Sequence, residues 1–172
     1  MKGKQSGFSL VELLIVVAII LIIAAIAVPN FMRSRMTANE SSGAATIRTL
    51  VSDAIAYSNS YPQSGFPATI SNLGGLSPCV PSAVTACLAD QTLACAAQPC
   101  TRDNYQYSLT GIGVGGGIAT DFVAFGTPAG QSLGTRDFCA TADGAVRAQA
   151  SANPPPSPAI TTVAPCAVLT PL

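Results

Sequence analysis

The sequence predicts an α+β chain in which one long N-terminal α-helix packs on a small antiparallel β-sheet of about four strands, with loops braced by disulfides. Three observations lead there. An apolar run near the start is too long for a strand, and helical periodicity continues beyond it. The second half then holds short alternating segments separated by Gly, Pro and Asp-Gly turns. A length of 172 residues suits one modest domain plus an appended element rather than two ordinary cores.

Taking the elements in order, Met1 to Gly7 is short and basic through Lys2 and Lys4, and Leu13 to Val28 is an unbroken run of sixteen apolar residues. The 21 residues from Phe8 to Val28 would extend roughly 31 Å as a helix, enough to cross a hydrocarbon core, with only Glu12 interrupting the start. Placing Lys2 and Lys4 in the cytoplasm sends everything after Val28 to the far side, where cysteines oxidise. Beyond Pro29 the pattern turns amphipathic. Ile47, Leu50, Val51, Ala54 and Ser58 form one stripe, with Arg48 and Asp53 off it. The helix is expected from about Ser9 to about Ser60, where Asn59-Ser60-Tyr61-Pro62 ends it; Pro29 and Gly43 are its weak points.

Tyr61 to Cys100 reads as a long irregular connection with a turn at Leu73-Gly74-Gly75-Leu76. Strands are expected at Tyr105–Leu109, Phe122–Phe125, Asp137–Thr141 and Ala145–Gln149, the last two flanking a turn at Asp143-Gly144. Gly113 to Gly117 reads as a hairpin tip without the spacing of a phosphate-binding loop. After Ser151, Asn153-Pro154-Pro155-Pro156-Ser157-Pro158 favours an extended polyproline conformation that cannot continue a sheet, and Cys166 argues for a tether.

The composition narrows the chemistry. Eight Lys and Arg balance eight Asp and Glu, and charged residues are only 9% of the chain, so no strong field steers it to a polyanion. His and Trp are absent, which removes the commonest general acid-base and metal ligand; a Ser-Lys pair would need Lys2 or Lys4. No enzymatic activity, no catalytic residue and no cofactor is expected. Asp121, Asp137 and Asp143 read as solvated turn acids rather than a calcium site. Cys79, Cys87, Cys95, Cys100, Cys139 and Cys166 permit fifteen complete pairings. Without C-x-x-C spacing or His they read as structural disulfides rather than a zinc site, so no metal is expected.

An ordinary secretory signal places its small residues after the apolar run, whereas Gly7 precedes it. Gly7-Phe8-Ser9-Leu10-Val11-Glu12, followed by that run, resembles the processing site of type IV prepilins and pseudopilins. The resemblance implies that a prepilin peptidase cuts after Gly7 and methylates the new terminus at Phe8, leaving Glu12 at the fifth mature position. A carboxylate within an apolar span costs on the order of 2.5 to 3.5 kcal/mol near mid-membrane, less near an end. The cationic amine of Phe8 on a neighbouring subunit would offset that cost and set register. Pro29 falls where the family often has a helix-kinking proline; Thr49 stands where a second is common, so the lower half of the helix is expected to be straighter.

The implied architecture is the type IV pilin-like ladle. It divides into a leader at 1–7, a membrane and filament-core half-helix at 8–29, an amphipathic half at 30–60, a globular β head with its connecting loop at 61–150, and a Pro-rich tail at 151–172 tethered to the head. Arg136 through Arg147 is similar to the closing hairpin of some pilins and pseudopilins. Among the cysteines, bridges Cys79–Cys87 and Cys95–Cys100 would stiffen the loop, and Cys139–Cys166 would tie down the tail, resembling the C-terminal disulfide loop of many pilins.

The implied function is a structural subunit of a type IV pilus, serving adhesion, twitching motility or DNA uptake. A pseudopilin of type II secretion and a non-polymerising membrane-anchored binding module are the alternatives. Expected partners are copies of itself in a helical filament, the prepilin peptidase, an inner-membrane assembly platform, and the lipid bilayer before assembly. Removal of Lys2 and Lys4 leaves six basic against eight acidic side chains, a net −2, which argues against attraction of DNA by the average field; a local basic patch leaves nucleic acid open. The expected location is the inner membrane, single-pass with the C-terminal domain outside the cytoplasm, and then a surface filament.

Overall fold

A computed structural model describes residues 9–113 and 117–172. The expected leader, with Gly7, and the residue Phe8 lie outside the described residues, as does the centre of the glycine-rich tip. The fold is α+β: a long helix α1 (Leu10–Ser60), then β1 (Cys100–Arg102), β2 (Tyr105–Gly113), β3 (Ala119–Pro128), β4 (Arg136–Thr141), β5 (Arg147–Ala150), a short α2 (Val163–Ala167) and β6 (Thr170–Pro171). The chain divides into two units, Met1–Arg35 and Met36–Leu172.

In the first unit the described residues, from Leu10 on, are helical, including Pro29. Proline has no N–H to donate to the carbonyl four residues back, yet the turn holds; beside it the Asn30 side-chain amide donates to Ile26 O at 3.2 Å, and Ser34 Oγ to Asn30 O at 3.0 Å. The segment has a mean hydropathy of 3.3 over its most apolar window, long and apolar enough to cross a membrane, and none of that window is buried.

In the second unit the later turns of α1 lie on one face of the sheet. Gly43, Ala44, Thr46, Ile47, Leu50, Val51, Ala54 and Tyr57 are buried there. The stripe expected from spacing closes on Tyr57 rather than Ser58, which is half-buried, because the larger aromatic reaches the loop and donates its hydroxyl to Ala83 O at 2.6 Å. Gly43 lets the helix approach: a Cβ there would meet the Tyr105 ring at 3.1 Å and the Phe138 ring at 3.2 Å. Opposite, Tyr105, Tyr107, Leu109, Phe122, Ala124, Phe138 and Ala140 form the sheet's half of the core.

The sheet is six-stranded and antiparallel in the order β1-β2-β3-β4-β5-β6. Two strands are additional to the expected four. β1 returns through Asp103 and Asn104, both at positive φ (49° and 67°), the geometry of a two-residue hairpin turn. β6 pairs with β5 at Arg147↔Pro171 and Ala148↔Thr170. The tail adds this strand beyond α2, outside the Asn153–Pro158 stretch that is expected not to continue a sheet and that carries no strand.

The Tyr61 to Cys100 connection is irregular apart from a 3-10 turn at Ile70–Leu73, with Ile70 and Leu73 buried. A second, smaller apolar cluster lies on the sheet face away from α1. Val123, Phe125, Cys139 and Cys166 are buried there, with Ile160 and Val163 of the tail packed on them.

Candidate functional site

The candidate site is the start of α1. Ser9 precedes the first helical residue, and its backbone N–H donates to Glu12 Oε2 at 3.0 Å, while Leu13 N donates to Ser9 O at 3.3 Å. Glu12 thus satisfies a donor at the helix start, where the positive end of the helix dipole favours a carboxylate. Spacing alone holds this signal, since Ser9-Leu10-Val11-Glu12 has the S-x-x-E pattern of a capping box, a role for Glu12 beyond the ionic pairing expected of it. From Leu10 to Ile23 every residue is exposed, and Leu14, Ile20 and Ile22 stand 57–63% exposed, so among the described residues nothing covers the apolar segment.

In the second unit the six cysteines form three disulfides, Cys79–Cys87, Cys95–Cys100 and Cys139–Cys166, with Cα–Cα separations of 6.0, 5.6 and 6.0 Å. The first two close short circuits within the connecting loop. The third joins β4 to α2 across 27 residues and holds the tail over the sheet.

The three acids singled out from sequence have separate surroundings. Asp121 Oδ1 accepts the N–H of Phe122 at 2.7 Å and of Ala142 at 3.0 Å. Asp143 pairs with Arg147, whose hydrogen bond holds its carboxyl down at about 2. Asp137 is no solvated turn acid: it is fully buried in β4, with Oδ2 accepting from Gln149 Nε2 at 3.2 Å and Oδ1 unpartnered. Its strand continues inward, whereas a turn acid needs a chain reversal at its own position. Asp53, off the apolar stripe of α1 as expected, is half-buried. Its Oδ2 is buried without a partner, and burial, reinforced by the Asp90 carboxylate, pushes its carboxyl up to about 6. Among the described residues no three His, Cys, Asp or Glu side chains group as metal ligands.

A long N-terminal helix whose later turns pack on a disulfide-braced antiparallel sheet, with one acid near the start of an exposed apolar segment, is consistent with a pilin fold. Residues 2–28 match the prokaryotic N-terminal methylation motif. Over 58 residues the chain is 40% identical to the type IV wide pilus major component PilA4 of Thermus thermophilus, covering 34% of this chain and 41% of that protein. The chain therefore spans less than half the length of the curated relative it matches. No solved structure matches the chain at a significant level. The chain carries the prokaryotic N-terminal methylation motif, and over the matched stretch its likeness is to a pilus component rather than an enzyme.

Proposed function

We propose that the chain is a structural subunit of a type IV pilus. The observation that carries this is the methylation motif at 2–28, which takes in the bare apolar stretch of α1 with a single acidic residue, Glu12, in the first turn. Such a helix requires either lipid or copies of itself around it, because exposed Leu and Ile side chains in water forgo about 1.5–3 kcal/mol each. The inner membrane meets that need before assembly, with the second unit outside the cytoplasm; a filament core meets it afterwards.

In this reading the prepilin peptidase cuts after Gly7, and Phe8 becomes the methylated first residue. Glu12 then exchanges its contact with Ser9 N–H for the Phe8 amine of a neighbouring subunit, which fixes register as an assembly platform adds each copy. Pro29 supplies a turn lacking one backbone hydrogen bond, where the helix can yield during packing. The exposed second unit would carry the surface roles of adhesion, twitching motility or DNA uptake.

Intact mass and N-terminal sequencing of protein sheared from cells test the reading. The expected product starts at methylated Phe8 and comes from fibres; Gly7→Val should leave it unprocessed, and Glu12→Ala should leave processed chain in the membrane without fibres. Unprocessed, membrane-bound chain in wild-type cells would support an anchored binding module instead, and lost protein secretion on deletion without surface fibres would support a pseudopilin.

A further inference from the structure

The sheet face away from α1 carries a groove of ≈ 480 Å³, within the range of small-ligand sites. Side chains alternate along β2, so while Tyr105, Tyr107 and Leu109 enter the core, Gln106, Ser108 and Thr110 line the groove floor. The tail forms one wall through Pro156 and Pro158, held in place where Ser157 N donates to Thr127 Oγ1 at 2.9 Å. Gln98 stands at the other side; its Oε1 accepts Leu109 N at 3.1 Å, which fixes the amide and leaves its NH₂ for a ligand.

None of the twelve lining residues is charged. Apart from Phe125 and Thr127 of β3, floor and tail wall come from two stretches, Asn104–Thr120 and Ala148–Leu172, that contain no Asp, Glu, Lys or Arg. An ionic ligand would lose hydration there without a counter-charge. The side chains of Gln106, Ser108 and Thr110 have no hydrogen-bond partner within the described chain. Amides and hydroxyls both donate and accept, which matches a ligand whose own groups do both, and the proline rings offer apolar surface to its C–H faces. We infer that this groove binds a neutral, polyhydroxylated ligand, a short uncharged glycan.

The inference is independent of filament assembly, because the groove lies wholly within the second unit and is complete in one chain. The test is titration calorimetry and saturation-transfer NMR on the full chain in a sugar-free detergent, with maltose, cellobiose, lactose and chitobiose as probes. At least one is expected to bind. Gln106→Leu with Thr110→Val should weaken that binding at least tenfold at unchanged circular dichroism. Gln106→Glu, at the half-exposed end of the floor, is the second variant should the pair misfold, and should weaken it similarly. No binding by any of the four probes overturns the inference, as does undiminished binding by a folded variant. Displacement of the sugar by a proline-rich peptide of higher affinity, or preference for sialyllactose, would also overturn it, in favour of a protein or an anionic ligand.

Discussion

Glu40 Oε1 accepts both the backbone N–H of Thr135 at 2.8 Å and its hydroxyl at 2.7 Å, tying α1 to the loop between β3 and β4 across 95 positions. One residue earlier, Asn39 Nδ2 donates to Leu133 O at 2.8 Å, and Asn104 Nδ2 donates to Asn39 Oδ1 at 3.3 Å. This polar clamp continues the apolar stripe of α1 toward its N-terminal side. Glu40→Ala should cost about 1–2 kcal/mol, and Glu40→Gln roughly half as much, because the amide keeps an acceptor but loses the charge. Urea unfolding followed by tyrosine fluorescence would measure it.

Asp53 should make stability fall as pH rises. Its carboxyl, ordinarily near 3.8, titrates at about 6 in the folded chain, first through burial and then through Asp90. Between those values the folded chain holds a proton that the unfolded chain has released, so stability declines through that window and the penalty is complete above about 6. Asp53→Asn should stabilise the protein near pH 7, by under about 1 kcal/mol after solvent screening, and leave it unchanged near pH 3.5. Thermal unfolding of both proteins across pH checks the sign.

Asp143 has the opposite sign. The Arg147 hydrogen bond holds it at about 2 against an ordinary 3.8, so its contribution is present above 3.8 and is lost as pH falls toward 2. Asp143→Asn should flatten the acid limb of the stability curve and leave the region above pH 5 parallel to wild type.

The Cys139–Cys166 bridge closes 27 residues, for which chain entropy gives about 3.5 kcal/mol. Replacing both cysteines by Ser should lower the melting temperature and expose the tail after Ser151 to limited proteolysis while the core through β4 stays resistant. A tail as resistant as in wild type would mean that β6 and the Ile160 and Val163 contacts suffice.

Gly43→Val should destabilise by about 1–3 kcal/mol, since the added Cβ alone would stand 3.1 Å from the ring of buried Tyr105, and helix propensity cannot offset the overlap. Chemical denaturation compared with Ala45→Val, an exposed neighbour on the same helix, separates crowding from propensity.

The long helix, its end at Ser60, the core strands and the pilin-like character of the first thirty residues are legible in the sequence, because each depends on local pattern: an apolar run, a period of 3.6 or 2, a cleavage-like hexapeptide. β1 escapes such a reading although Asp103-Asn104 is a good two-residue turn, since a three-residue strand has too short a period to register. The capping contact of Glu12 is legible too, in the spacing of Ser9 and Glu12.

What only the tertiary structure decided depends on residues distant in sequence. Asp137 is buried because β3 and β5 flank its strand, and half-buried Asp53 has its Oδ2 enclosed without a partner and within the field of Asp90, 37 positions away in sequence. Pairing of β6, and the groove between Gln106 and the Pro156–Pro158 wall, exist because the tail returns across the sheet to Cys139. Burial, partner choice and cavity shape are set by which segments meet, and a one-dimensional pattern determines which face of an element seeks a partner without specifying the partner itself.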